Sequence, residues 1–132
     1  MSAQTMQAIR VHAYGGPEQL KLEQLPRPQP QAGELLIRVH AAGVLPVDCY
    51  VRQGRMAKLM PQSFPYTPGT AFAGVIEELG AGVTTFQRGQ AVCGRSPQGS
   101  YAGYTTVQAQ AAAPAPDSAG YRQSVAFSPL AL

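Results

Sequence analysis

Residues 34–54 read ELLIRVHAAGVLPVDCYVRQG. The first half alternates, with Leu35, Ile37 and Val39 on one face and Leu36, Arg38 and His40 on the other, which predicts a strand from Glu34 to Gly43. Pro46 then suits the first turn of a helix, because its missing N–H would have no partner there, and Gly54 stands where a C-terminal cap belongs. A long strand that runs into one short helix, PVDCYVRQG, is the pattern around which the rest of the chain is read.

Upstream, Met6 to Tyr14 alternates as well, placing Ile9, Val11 and Ala13 on one face and Ala8, Arg10 and His12 on the other. YGGPEQ turns the chain, Leu20 to Gln24 alternates again, and PRPQPQAGE is too proline-rich for helix and too polar for core. Downstream, MPQSFPYTPG (60–69) reads as loop and Ala71–Leu79 as strand. Gln90–Cys93, Tyr101–Gln108 and Ala111–Ala113 read as three further short strands. With 14 glycines and 12 prolines in 132 residues the backbone must turn often, so the expected architecture is mainly β, a barrel or sandwich rather than a doubly wound sheet.

The length allows one domain and not two. Charged residues make up 13% and hydrophobic ones 45%, a balance that folds rather than stays disordered. The net charge of +3 comes from scattered Lys and Arg with no basic stripe or interleaved aromatics, so nucleic acid is not an expected partner. MSAQTMQAIR lacks the apolar run of a secretion signal and no stretch of about 18 apolar residues occurs, so no membrane partner is expected and the expected location is cytoplasmic.

Cys49 and Cys93 are isolated and read as buried, inert thiols. His12, His40, Cys49 and Cys93 lie on four separate elements, and both histidines read as solvent-facing, so no metal site is expected. Gly80 and Gly82 begin something like a dinucleotide fingerprint, but Thr85 fills the third glycine's place and the short run to Gly89 leaves no room for a phosphate-binding helix. That segment reads as a turn.

The order of these stretches, from MQAIRVHAYGGPEQLKLEQLPRPQPQAGELLIRVHAAGV through PVDCYVRQG and FPYTPGTAFAGVIEELGAGVTTFQRGQAV to GSYAGYTTVQAQAAAPAPD, resembles the N-terminal catalytic domain of the medium-chain dehydrogenase/reductase superfamily. Within it the sequence is most similar to the zinc-independent NADPH:quinone oxidoreductases, the zeta-crystallin-like branch. The resemblance implies a GroES-like, partly open β-barrel with short helices over residues 1–116. It also implies that residues 117–132 start a linker helix toward a Rossmann domain that this chain lacks. It further implies NADPH as cofactor, no zinc, and a quinone or another small electrophile as substrate.

Position by position, the resemblance places Leu45 where the zinc-dependent branch has its first zinc cysteine, Val47 where it has a proton-relaying Ser or Thr, and Thr70 where it has the zinc histidine. In quinone reductases the corresponding pattern is Asn-Pro-x-Asp followed by Tyr and Arg, the asparagine lying against the nicotinamide. Here Pro46, Asp48, Tyr50 and Arg52 are kept and Leu45 replaces the asparagine. Ala71 and Gln90 stand where acidic residues are usual, the first in the cleft and the second in a barrel turn. The implied cofactor-side residues are thus Leu45, Pro46 and Asp48, and the implied catalytic residues Tyr50 and Arg52.

A quinone is already electrophilic, so its reduction needs alignment, a dry site and a donor for the developing oxyanion rather than a metal. Tyr50 offers a ring face for stacking and a hydroxyl for that donor, or else packs the short helix onto the barrel. Arg52 either meets a phosphate or carboxylate across the cleft or is an exposed arginine at a helix end; Asp48 fixes the loop through backbone hydrogen bonds. Two functional readings follow. One is the substrate half of a reductase, cut short and inactive alone. The other is a standalone barrel that associates with itself or a partner through Val125, Phe127, Leu130 and Leu132.

Overall fold

The structure is a computed structural model that describes residues 4–115 and Gly120. The expectations placed on 117–132, the linker helix and the apolar segment from Val125 to Leu132, lie outside the described residues.

Among the described residues, seven strands and one α-helix build the domain: β1 Thr5–Arg10, β2 Lys21–Pro26, β3 Glu34–Gly43, α1 Pro46–Gln53, β4 Ala71–Leu79, β5 Ala91–Arg95, β6 Tyr104–Gln108 and β7 Ala112–Pro114. β1 and β2 form an antiparallel pair, and the other five strands form an antiparallel sheet in the order β6-β3-β4-β5-β7. The two sheets are tied where the Ile9 N–H donates to the Tyr101 carbonyl at 2.8 Å and the Gly103 N–H donates to the Gln7 carbonyl at 2.9 Å. The sheets do not close, so the architecture is the mainly β, partly open barrel of the GroES-like type.

β3 and β4 are the central pair, and their apolar residues make the core: Leu35, Ile37, Phe72 and Ile76, joined by Val92 from β5 and Val107 from β6. Phe72 is the largest fully buried side chain. Burying a phenylalanine contributes about 1.5–3 kcal/mol relative to leaving it in water. The helix starts and ends as the sequence indicates, with Pro46 opening α1 and Gly54 closing it at φ 86°, a left-handed conformation that suits glycine.

The alternation expected of the first strand is corrected in two respects. Regular pairing stops at Arg10, and Val11 makes only an isolated bridge to Tyr66. Ala8, expected on the outward face, is buried because it lies against Ala102 where β1 meets the second sheet. In β3 the expected outward Leu36 is buried along with Leu35 and Ile37, since the register shifts between Leu36 and Ile37 and the strand is covered on both sides. Tyr101–Gly103, expected as strand, is a loop whose backbone bonds β1 instead. Gly80 and Gly82 lie in the connection between β4 and β5, which contains no helix, as the turn reading requires.

A side chain at Gly74 has no space, because a Cβ there would stand 2.1 Å from the Arg38 carbonyl oxygen in the paired strand. Gly74→Ala is expected to destabilise the domain by about 2 kcal/mol or more, read as a lower urea midpoint, because backbone rather than a flexible side chain must give way. An unchanged midpoint would show that β3 and β4 separate more easily than this packing implies.

Candidate functional site

Asp48 occupies the third position of α1 and is buried, with 7% of its surface exposed. One carboxylate oxygen, Oδ2, accepts the Leu45 N–H at 2.9 Å, which is half of a capping box; the other half is missing because leucine has no side-chain acceptor. The other oxygen, Oδ1, accepts the Thr70 hydroxyl at 2.8 Å, and the Tyr101 hydroxyl donates to Oδ2 at 3.3 Å. A single carboxylate therefore joins the start of α1, the residue preceding β4 and the loop before β6. The expectation that Asp48 fixes the loop through backbone bonds is met by the Leu45 contact, while Thr70 and Tyr101 are partners that sequence reasoning missed.

The electrostatics follow from this placement. Burial pushes the Tyr101 hydroxyl well above its usual range, and the adjacent Asp48 charge and hydrogen bond push it further, opposed by Arg52. Tyr66 is raised chiefly by burial as well, with Arg52 acting against the shift and Tyr14 and Asp48 adding to it. Both phenols are therefore held neutral at physiological pH. The Tyr66 hydroxyl is buried with no hydrogen-bond partner among the described residues, and it lines a cavity of about 100 Å³ beside Asp48 and Thr70.

Tyr50 and Arg52, read together from the sequence, are not brought together. Two positions apart on a helix, they face different ways. Tyr50 is 40% exposed with the Arg55 guanidinium 4.5 Å above its ring. Arg52 is buried; its Nε–H donates to the Gly15 carbonyl at 3.3 Å while the Gly15 N–H donates to the Arg52 carbonyl at 2.9 Å. The exposed helix-end reading of Arg52 is thus corrected: the guanidinium anchors the turn after β1 to α1. Leu45 is half-buried and Pro46 exposed at the helix start.

Of the two departures noted in the sequence, Ala71 is fully buried at the start of β4 and Gln90 serves its turn. The Gln90 side-chain oxygen accepts the Gln87 N–H at 3.1 Å, a role an aspartate could fill equally. Cys93 is buried and Cys49 half-buried, so only the first of the two thiols is shut away as expected. Both histidines are exposed; His12 pairs with Glu23. Among the described residues, no three of His, Cys, Asp and Glu gather in a group that could hold a metal.

A partly open antiparallel barrel carrying one short helix, whose first turn is pinned by a buried aspartate, defines a GroES-like domain of the alcohol dehydrogenase kind. Residues 31–117 match the family described as alcohol dehydrogenase GroES-like domain, and the chain belongs to that family, within the medium-chain dehydrogenase/reductase superfamily. It is 42% identical over 124 residues to the quinone oxidoreductase of Rattus norvegicus, covering 92% of this chain and 37% of that protein. Among solved structures it superposes on the human synaptic vesicle membrane protein VAT-1 homolog-like protein with a TM-score of 0.89 at 31% identity, covering 94% of this chain and 40% of that one. It also superposes on the quinone oxidoreductase of Escherichia coli complexed with NADPH, with a TM-score of 0.84 at 30% identity over 91% of this chain and 36% of the other. The chain thus spans a little over a third of the length of the curated relatives it matches, 37% for the rat protein.

Loss of the Tyr101 hydroxyl has a pH signature. A phenol whose folded pKa lies above its usual 10.0 contributes nothing to the pH dependence below that value. Above about pH 10 the unfolded chain releases the proton while the folded one keeps it, so stability falls as pH rises. Tyr101→Phe is expected to cost about 1 kcal/mol at pH 7 through the lost hydrogen bond and to flatten the decline above pH 10, measured by denaturant titration across pH 7–11. A decline of the same slope in the variant would assign it to other groups.

Proposed function

We propose that this domain is the substrate-side half of an NADPH-dependent reductase acting on a quinone or a related small electrophile such as an activated alkene or carbonyl. The observation that carries the reading is a set of exposed apolar side chains in α1 and in the segments on either side of it. Between residues 44 and 64 the side chains of Val44, Tyr50, Leu59, Met60 and Phe64 are all exposed, although most are apolar. An apolar surface with a single phenol on it suits an uncharged ring better than a polar substrate. The likeness to proteins named quinone oxidoreductase supports the same substrate class.

The fit to NADPH is partial and one-sided. Among the described residues no strand runs through a glycine-rich turn into a helix, so the pyrophosphate has no cradle among them. The start of α1 fits the nicotinamide end: Leu45 and Pro46 offer apolar surface there, and Asp48 holds their backbone in place. When bound, NADPH supplies the hydride that, together with one proton, converts a quinone to its hydroquinone.

The chain's own residues supply placement and charge stabilisation. The Tyr50 ring stacks on the quinone, and its hydroxyl donates to the oxygen on which negative charge develops. Leu45, in place of a polar residue, packs without hydrogen bonding and keeps that wall dry. Arg52 acts at a remove, by fixing α1 to the turn at Gly15. No zinc enters this scheme, since Thr70 donates its hydroxyl to Asp48 and Leu45 has no donor atom to offer a metal.

The test is turnover of NADPH with 1,4-benzoquinone by the full-length protein. Tyr50→Phe is expected to lower kcat about 10²-fold with little change in KM, the effect of removing one donor to the developing charge. Unchanged kcat in that variant would leave Tyr50 as a packing residue, and absence of any quinone-dependent NADPH oxidation would overturn the reductase reading itself.

A further inference from the structure

Tyr50 and Arg55 are five apart, a spacing that would put them on different sides of a continuing helix. They meet because α1 does not continue. Gly54 is left-handed at φ 86°, its N–H donates to the Val51 carbonyl at 3.1 Å, and the Arg55 N–H donates to the Tyr50 carbonyl at 3.0 Å. The chain thus folds back on the last turn of the helix, and the Arg55 guanidinium lies 4.5 Å over the Tyr50 ring.

The pair keeps capacity for a ligand. Arg55 is exposed, and Tyr50 keeps 40% of its surface exposed with the guanidinium over one face of its ring. Ring contact takes the flat side of a guanidinium and leaves its in-plane N–H donors for a planar oxyanion. No acidic side chain takes those donors among the described residues, where the one ion pair joins His12 to Glu23.

The surrounding stretch has the same sign. From Cys49 to Ile76 the chain holds Arg52, Arg55 and Lys58 and no Asp or Glu. Arg52 is buried and bonded to the Gly15 carbonyl, and Asp48, just before this stretch, is buried with both oxygens already accepting hydrogen bonds. Arg55 and Lys58 are exposed, so the charge this stretch offers to solvent is positive and is not offset within it.

We propose that the electrophile is acidic: an uncharged quinone-type ring that carries a carboxylate or similar anion on a short side chain, the ring held by Tyr50 and the anion by the Arg55 guanidinium. This rests on the reductase reading, in which Tyr50 meets the substrate, and it names the class of substrate and the residue that selects it. A carboxylate on an arginine gains charge-assisted, two-point hydrogen bonding, whereas apolar contact alone favours the uncharged compound. Preference for an acid over its own ester is therefore a signature of the cation.

The experiment compares kcat/KM of the full-length protein, with NADPH, for menadione bearing a propanoate side chain and for the methyl ester of that compound, whose reacting rings are identical. The acid is expected to be preferred about five-fold, and the preference to shrink in about 0.5 M salt. Arg55→Gln is expected to bring the acid-to-ester ratio to about one by raising KM for the acid, and Arg55→Lys, which keeps the charge but not the planar fork, to retain part of the preference. Equal use of acid and ester by the wild type, or a folded Arg55→Gln variant that keeps the preference, would overturn the inference and leave the reductase reading intact. An Arg55→Gln variant with a raised KM for NADPH and an unchanged KM for the acid would overturn it as well, by assigning the guanidinium to the cofactor's phosphate. Turnover of neither compound, nor of benzoquinone, would overturn the reductase reading and this inference with it. Should Arg55→Gln fail to fold, the wild-type ratio and the Arg55→Lys variant decide.

Discussion

The structure depends on one buried carboxylate. Asp48 takes hydrogen bonds from the Leu45 backbone, the Thr70 hydroxyl and the Tyr101 hydroxyl, and these donors come from three segments far apart in sequence. A helix of eight residues has no stability of its own in water. It must be held at its start, and the usual device, a Ser, Thr, Asp or Asn at the cap, is absent because Leu45 occupies that position. Asp48 replaces it from inside the first turn, where a negative charge also meets the positive end of the helix dipole. The far end of α1 is held separately by Arg52 and Gly15, so the helix is clamped at both ends and its intervening face is free to carry exposed side chains.

That arrangement explains why the two residues singled out from PVDCYVRQG have different surroundings. Asp48 and Arg52 are four apart and lie on the inner face; Tyr50, midway between them in sequence, is turned outward. The inner pair acts on position and the outer residue is available to a ligand. Nearby packing follows the same division: the Tyr14 ring lies against Gly54, where an added Cβ would come within 3.1 Å of it, and makes an edge contact with Phe64 at 4.9 Å. Gly54 therefore serves twice, once for its left-handed φ and once for the close approach of an aromatic ring.

Much of this was legible in the sequence, and the exceptions have physical causes. The bounds of β3 and α1 follow from alternation, from Pro46 and from Gly54, because each is a local signal of period or fixed φ. Burial of Leu36 and Ala8 was not legible, since it depends on a register shift and on a contact between sheets, neither of which leaves a mark on hydrophobic periodicity. In the candidate site, Asp48 was singled out and its bond to Leu45 is a capping-box signal three residues long. Its partners Thr70 and Tyr101 lie 22 and 53 residues away and could be found only in the folded chain. The same holds for Arg52, which the sequence left open between two exposed roles and which the turn at Gly15 buries.

The Asp48–Thr70 bond also bears on what the buried carboxylate does in this scaffold. A carboxylate behind a ligand histidine ordinarily orients the ring and raises its basicity. The family resemblance places Thr70 at a zinc histidine's position, and here the carboxylate receives a hydroxyl at 2.8 Å. A hydroxyl thus ties the approach to β4 to α1 at that position. A buried aspartate hydrogen-bonded three ways is accounted for by the cap that Leu45 cannot provide and by the two hydroxyls that would otherwise lose their acceptor.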